Sequence, residues 1–288
     1  MNARLTEAAL QTAFVAACEE ELAVPKPGNV HDFAGGHGMF ADDFRRSAAA
    51  AAPQLCRPRA TLGQRILGAV AATRAEVAQN TNLGIVLLCA PLAMAATAGG
   101  DLPSALARTL AAADLADADA TFRAIALASP GGLGTARRHD VHQPATVTLA
   151  VAMAEAAQRD RIAWNWTHGF ADVFGPGLAT YAAAQARWRG PGWAALAVYL
   201  HFLAAVPDSH VARKHGTAVA ERTRAAAEPW LARLLAGDDP SAHLPALFAW
   251  DAALKQAAIN PGTSADLTVA TLFTVRLRCE LRTLADPC

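Results

Sequence analysis

The chain has 288 residues, 53% of them hydrophobic and 17% charged, a balance that excludes disorder and supplies a large core. Its 25 basic and 25 acidic side chains cancel, which excludes a general field drawing in nucleic acid or an anionic membrane; an anionic ligand must be held by local charge. No Ser/Gly linker, low-complexity tract or like-charge run divides it, so one domain over residues 1–288 is expected.

Leu5 to Leu22 reads as a helix closing on Glu19, Glu20 and Glu21, without the succession of a secretory leader. Cys18, Cys56, Cys89, Cys279 and Cys288 are odd in number and scattered, unlike a zinc or redox motif. Free thiols and a cytoplasmic location are expected. Pro25-Lys26-Pro27-Gly28-Asn29-Val30-His31-Asp32 then ends the helix, because neither proline fits inside one. This stiff segment is expected to hold Lys26 outward, while Gly28 permits a turn that offers backbone amides to a ligand. Asn29, His31, Asp32 and His37, beside Gly35, Gly36 and Gly38, add donors, a carboxylate suited to a metal, and proton carriers.

Alanine-rich stretches at 48–52, 105–118, 146–157, 178–186, 194–205 and 218–235 favour helix, and alternating β-branched runs are nearly absent. The expected fold is all-α, an irregular multi-helix bundle whose loops carry the chemistry. Asn80-Thr81-Asn82 precedes an apolar helix beginning at Leu83; one cap suffices, so the additional asparagine points to a ligand at that helix start. The stretch Leu83 to Gly100 contains Gly84 and Pro91 and is short for a membrane span, which makes it a core helix.

Ser129-Pro130-Gly131-Gly132-Leu133-Gly134-Thr135 leads into Arg137, Arg138, His139, Asp140 and His142. No strand precedes this loop and no Gly-Lys-Ser/Thr follows, so it is neither a Walker loop nor a Rossmann turn. It reads equally as a phosphate cradle or as a solvated loop. Lysine occurs only at Lys26, Lys214 and Lys255, against twenty-two arginines, so Lys26 and Lys214, lying among polar motifs, invite specific roles as point charges. Asp208, Arg213, Lys214 and His215 fall within about two helical turns and can line one wall of a pocket, or else form an exposed ion-paired helix end. Ser264 or Thr263 can cap a final helix with Asp266 in its first turn, where a carboxylate also complements the dipole. His168, His201 and His243 have apolar or aromatic surroundings and read as packing residues.

In their order, these motifs resemble the triphosphoribosyl-dephospho-CoA synthase family. The family pattern runs as an acidic residue before PKPG, a Gly-His segment followed by Phe and Ser, an Asn-Thr-His-Lys-Gly helix start, an Asp-Thr-Asn segment with downstream Arg and Gly, and a terminal Ser-Pro-Gly-Gly-Ser-Ala-Asp-Leu. The counterparts are Glu21 with Pro25 to Gly28; Gly36-His37 with Phe44 and Ser47; Asn80-Thr81 with Gly84; Asp208 with Gly216; and Pro261-Gly262 with Ser264-Ala265-Asp266-Leu267. Asn82-Leu83 stand where the pattern has His-Lys, and Lys214 stands for the downstream Arg.

The resemblance implies an all-α transferase moving the triphosphoribosyl group of ATP to the 2′-hydroxyl of 3′-dephospho-CoA, with adenine released. It implies ATP as substrate, Mg²⁺ to carry the triphosphate, and small-molecule partners without nucleic acid or membrane; a homo-oligomer is compatible. Loss of adenine builds oxocarbenium character, which calls for carboxylates, an acid for the base, and cations for the phosphates. The implied catalytic residues are His31, His37 and Asp208, and the implied metal ligands Asp32, Asp208 and Asp266. Lys26, Gly28, Asn29, Asn80, Asn82, Arg213, Lys214, His215 and Ser264 would hold substrate. The altered Asn80-Thr81-Asn82-Leu83-Gly84 motif leaves two alternatives open: a related enzyme with another acceptor, in pterin-linked one-carbon metabolism, and a non-catalytic nucleotide-binding helical protein.

Overall fold

A computed structural model describes residues 5–188, 190, 192–237 and 239–285; Cys288 lies outside them. Among the described residues the regular elements are helices, as expected. The chain opens with α1 (Glu7–Leu22), α2 (Ala41–Leu55) and α3 (Leu62–Val77). Thr6 and Thr61 begin α1 and α3 by accepting from Ala9 N at 3.2 Å and Gln64 N at 3.4 Å. There follow α4 (Leu83–Ala98), α5 (Leu102–Ala112) and α6 (Leu115–Ala128). The alanine-rich stretch 105–118 is therefore two helices. Asp114 accepts from Asp117 N at 2.9 Å and starts α6 at that point, because a capping carboxylate offers the backbone an alternative to continuing the helix.

After the glycine-rich loop, α7 (Leu149–Ala156) begins later than the alanine pattern suggests. Next come α8 (Arg161–Thr167), a π-helical turn at Val173–Gly177, α9 (Leu178–Arg187) and α10 (Trp193–Ala205). The last third holds α11 (Ser209–His215), α12 (Thr217–Ala236), a 3₁₀ turn at Pro240–His243, α13 (Leu244–Gln256) and α14 (Gly262–Ala285).

The centre is built from helices apolar on all sides, as full burial requires. Residues 85–93 of α4 are all buried, as are most of α10 and the run Val269–Phe273 of α14. Small side chains such as Ala90, Ala93, Ala195, Ala197 and Ala270 let these helices approach closely, while Phe14 and Phe273 meet edge-on at 5.8 Å to fill the wider gap between α1 and α14. The buried hydroxyls of Thr268, Thr271 and Thr274 donate to carbonyls four residues back at 2.8–2.9 Å, leaving the polar side of α14 satisfied.

Cys18, Cys56 and Cys89 are free and buried, and Cys279 is free and exposed. His168 stacks on Trp164 at 3.9 Å, His201 meets Phe202 edge-on, and His243 closes the 3₁₀ turn before α13. Among the described residues no single helix is long and apolar enough to cross a membrane. Three helix starts, those of α4, α11 and α14, converge with the loops after α1 and α6, and this convergence positions the site.

Candidate active site

Residues remote in sequence meet here in pairs. The Asn29 amide donates to Asn260 Oδ1 at 2.7 Å, tying the first motif to the last. Ser47 and Thr81 share a 2.5 Å hydroxyl contact between α2 and the start of α4. Asp208 caps α11 through one oxygen, accepting from His210 N at 2.9 Å and Val211 N at 3.1 Å, and caps α14 through the other, accepting from Ser264 N and Oγ at 2.8 Å each. One carboxylate thus locks two helix starts together.

These elements enclose a cavity of about 910 Å³. Its polar end presents Glu21, Asn29 and His37 from α1 and the following loop, Asn80 and Asn82 before α4, His210, Arg213 and Lys214 from α11, and Thr263 and Asp266 from α14. Its apolar lining comes from Leu83, Ile85 and Leu87 of α4, Phe122 and Ile125 of α6, and Leu149 and Met153 of α7. The glycine-rich loop forms another wall rather than a free excursion. Gly131 and Gly132 pack directly on Lys214 and Arg213, where any side chain would collide, and Arg213 Nε donates to Gly131 O at 3.0 Å. Arg138, His139 and Asp140 bring the loop's charge to the same space.

Acidic groups gather at the inner end. Asp266 faces the cavity with no hydrogen-bond donor to its carboxylate among the described residues, and Gly84 leaves it room: a side chain at that position would run into Asp266 Oδ2. Burial, and then the nearby charges of Asp208, Glu21 and Asp160, push the Asp266 carboxyl well above the usual carboxylate range. Burial likewise raises Asp208, although its hydrogen bonds from Ser264, Val211 and His210 oppose the shift. Lys26 beside Glu21 and Arg213 beside Asp160 offset part of this negative charge, and a further cation placed beside Asp266 is favoured.

Lys26 supplies no cation to the cavity. Contrary to the outward projection expected from its prolines, it is 1% exposed and forms a buried ion pair with Glu21. Burial raises the Glu21 carboxyl and lowers the Lys26 ammonium, with their mutual attraction opposing both shifts.

His31 also lies behind the wall. Its Nε2 sits 3.3 Å from Asp251 Oδ2 and from Lys255 Nζ, and Lys255 reaches Asp251 at 2.9 Å and the Ala34 carbonyl at 3.1 Å. Gly28 N donates to the same carboxylate at 2.8 Å, so Asp251 fixes the turn that presents Asn29. Burial would raise Asp251, but its bonds from His31, Lys255 and Gly28 hold it below the usual range. Gly28 itself has φ 84° and packs on Pro261 and Ile259, so it serves the turn and not the ligand. Asp251 and Lys255 were missed as a pair because they lie mid-helix, away from Pro245 in the first turn of α13 and from any glycine; the available signal was a rare lysine four residues after an aspartate.

Of the catalytic residues expected from sequence, His37 lines the cavity, its Nε2 2.8 Å from the Gly28 carbonyl, whereas His31 and Asp208 do not. Asp208 is 1% exposed with both oxygens committed to backbone and Ser264, which leaves no lone pair turned to a substrate. Ser264 is consumed in the same contact. Asp32 lies on the opposite side of α1, in a bidentate pair with Arg45 at 2.6 and 2.8 Å, beside a separate groove of about 1060 Å³. The expected metal set is not brought together, and among the described residues no three His, Cys, Asp or Glu side chains are grouped to hold a metal. His215 turns away, with Nε2 3.0 Å from the Ala258 carbonyl. Asn80 caps α4 through Leu83 N at 3.2 Å, and the Asn82 amide donates to Thr73 Oγ1 at 2.9 Å. The larger groove carries Arg276, already paired with Glu20 at 2.7 Å. The motifs converge on the other cavity.

Residues 7–283 match the family model of the ATP:dephospho-CoA triphosphoribosyl transferases, CitG. The chain belongs to that family. It is therefore an all-α transferase with ATP as substrate. A candidate triphosphoribosyl-dephospho-CoA synthase from Archaeoglobus fulgidus, known from its crystal structure, has the same fold with a TM-score of 0.61. It is 25% identical, with 80% of this chain and 96% of that chain covered. No match is found among curated proteins. Asn82, which stands at the motif's histidine, and His210 both line this transferase's cavity.

Proposed function

We propose that the cavity is the place where the triphosphoribosyl group of ATP passes to the 2′-hydroxyl of 3′-dephospho-CoA and adenine leaves. The observation that carries this reading is that a carboxylate, Asp266, and an ammonium, Lys214, neither with a partner among the described residues, face one space. Lys214, Arg213 and Arg138, with the amides of residues 131–134, suit the triphosphate at the outer end. Asp266, with Glu21 and Asp208 behind it, suits the ribosyl carbon, where the bond to adenine breaks and positive charge develops.

Magnesium fits this arrangement as part of the nucleotide. It takes one or two carboxylates with substrate phosphates and keeps several waters, and Asp266 is the open carboxylate. When bound, Mg²⁺ would neutralise phosphate charge; Asp266 would hold it, and Lys214 and Arg213 would fix the phosphates. The Asp208 carboxylate holds α11 and α14 in register, and Asn29, steadied by Asn260 and the Gly28 turn, orients the sugar. Free thiols at Cys18, Cys56, Cys89 and Cys279 fit a cytoplasmic enzyme.

Steady-state kinetics of Lys214→Ala test the reading. The expected result is a rise in KM for ATP of about tenfold or more, since a charge-assisted contact is worth roughly 1.5–3 kcal/mol. An unchanged KM would remove the outer end from the nucleotide site.

A further inference from the structure

His210 lines the cavity, yet neither of its ring nitrogens has a hydrogen-bond partner among the described residues, and its Nε2 is buried. Its backbone is fixed twice, to Asp208 Oδ1 at 2.9 Å and to Thr263 Oγ1 at 3.2 Å. Its ring lies against Gly262, where any side chain would strike Nδ1. Gly262 and Asp266 are four residues apart on α14 and share a face, so the position against which the His210 ring packs lies about one helical turn, roughly 6 Å along that helix, from the residue whose carboxylate is assigned to the ribosyl carbon. A half-buried imidazole this firmly placed, with its shielded Nε2 left without a partner among the described residues, is a cost to folding, and such costs persist where a site uses them.

Resting on the transfer reaction proposed above, we infer that His210 is the catalytic residue that takes the proton from the acceptor hydroxyl as the new glycosidic bond forms. The C1′–N9 bond of ATP breaks with its electron pair going to adenine, and the C1′–O bond forms from the hydroxyl oxygen. The hydroxyl proton passes to His210, adenine takes up one proton from solvent, and His210 returns its own to solvent, leaving no net change. Burial, then Arg213 and Lys214, push the His210 imidazole down to about 3, which keeps it a neutral acceptor. A triphosphate on those two cations offsets their part of that lowering and so strengthens the base, while the part due to burial stays.

The other cavity histidines are placed less well. His37 is bonded to the Gly28 carbonyl, and His139, whose Nε2 is likewise buried without a partner among the described residues, is carried on the glycine-rich loop at φ 52°.

Adenine release is measured for the wild type, His210→Gln, His210→Ala and His139→Ala at saturating ATP and 3′-dephospho-CoA, with and without free imidazole. The expected result is a kcat about 100-fold lower in both His210 variants, KM for ATP within about threefold, and substantial recovery of His210→Ala by imidazole. His210→Gln should show no recovery, since its side chain fills the space. A kcat within about threefold of wild type, a loss that imidazole leaves untouched in His210→Ala, or an equal rescue in His139→Ala instead would overturn the role. Silence of the wild-type enzyme would overturn the transfer reading itself, and this role with it.

Discussion

Asp266 combines two properties that pull against each other: it faces a ligand cavity, and no hydrogen bond among the described residues reaches its carboxylate, Arg213 only partly offsetting its burial. A carboxyl whose folded-state pKa lies above its unfolded value holds its proton more tightly in the folded chain. Its contribution to stability is therefore present below the unfolded value, near 3.8, and is lost as pH rises toward the folded one. Asp266→Asn should accordingly melt at a higher temperature than wild type at pH 7, with the two curves converging near pH 3. The same variant should lose transfer activity by two orders of magnitude or more. Thermal melts across pH, paired with one activity assay, check both halves; a variant less stable at pH 7 would contradict the electrostatics. Asp208 is raised in the same direction but differs in having its hydrogen bonds met. Its carboxylate accepts four hydrogen bonds, so Asp208→Ala leaves buried donors unmet and should cost about 3 kcal/mol or more in denaturant unfolding. At this scale residue types were legible from sequence and their facing was not: Asp208, Ser264 and Lys26 read as ligand contacts, but all three are spent on holding other protein groups.

Helix starts are the working elements of the site. Gly84, in the first turn of α4, is small because Asp266 of α14 occupies the space a side chain would need. Gly84→Ala should displace that carboxylate and cut activity at least tenfold while leaving far-ultraviolet circular dichroism unchanged; a fully active variant would show that Asp266 has freedom the packing does not suggest. The alanine-rich helices were legible because composition alone favours them. The break between α5 and α6 at Asp114 was not, since a capping aspartate inside an apolar run looks like a surface residue until its amide partner is known. The glycine-rich loop admitted two readings from sequence. Its packing on Arg213 and Lys214 could only come from tertiary contact, because residues 131 and 213 are far apart in the chain.

Across the whole molecule one apolar cluster runs from Leu5 on the segment before α1 to Leu277 of α14, which ties the site's two ends to a common core. We therefore expect residues 1–288 to unfold as one domain, in a single transition by fluorescence and by circular dichroism alike; separate midpoints would contradict it. Magnesium-ATP should raise that midpoint, the gain in stability growing with ligand concentration to about 2.7 kcal/mol at a hundredfold excess over its dissociation constant. The central claim is that this cavity performs the family's transfer despite Asn82 and Leu83 standing in the helix-start motif. Liquid chromatography of adenine released from ATP by the purified protein with Mg²⁺, with and without 3′-dephospho-CoA, tests it most directly. Release that depends on 3′-dephospho-CoA is the predicted result. No release in its presence, or equal release in its absence, would contradict the account.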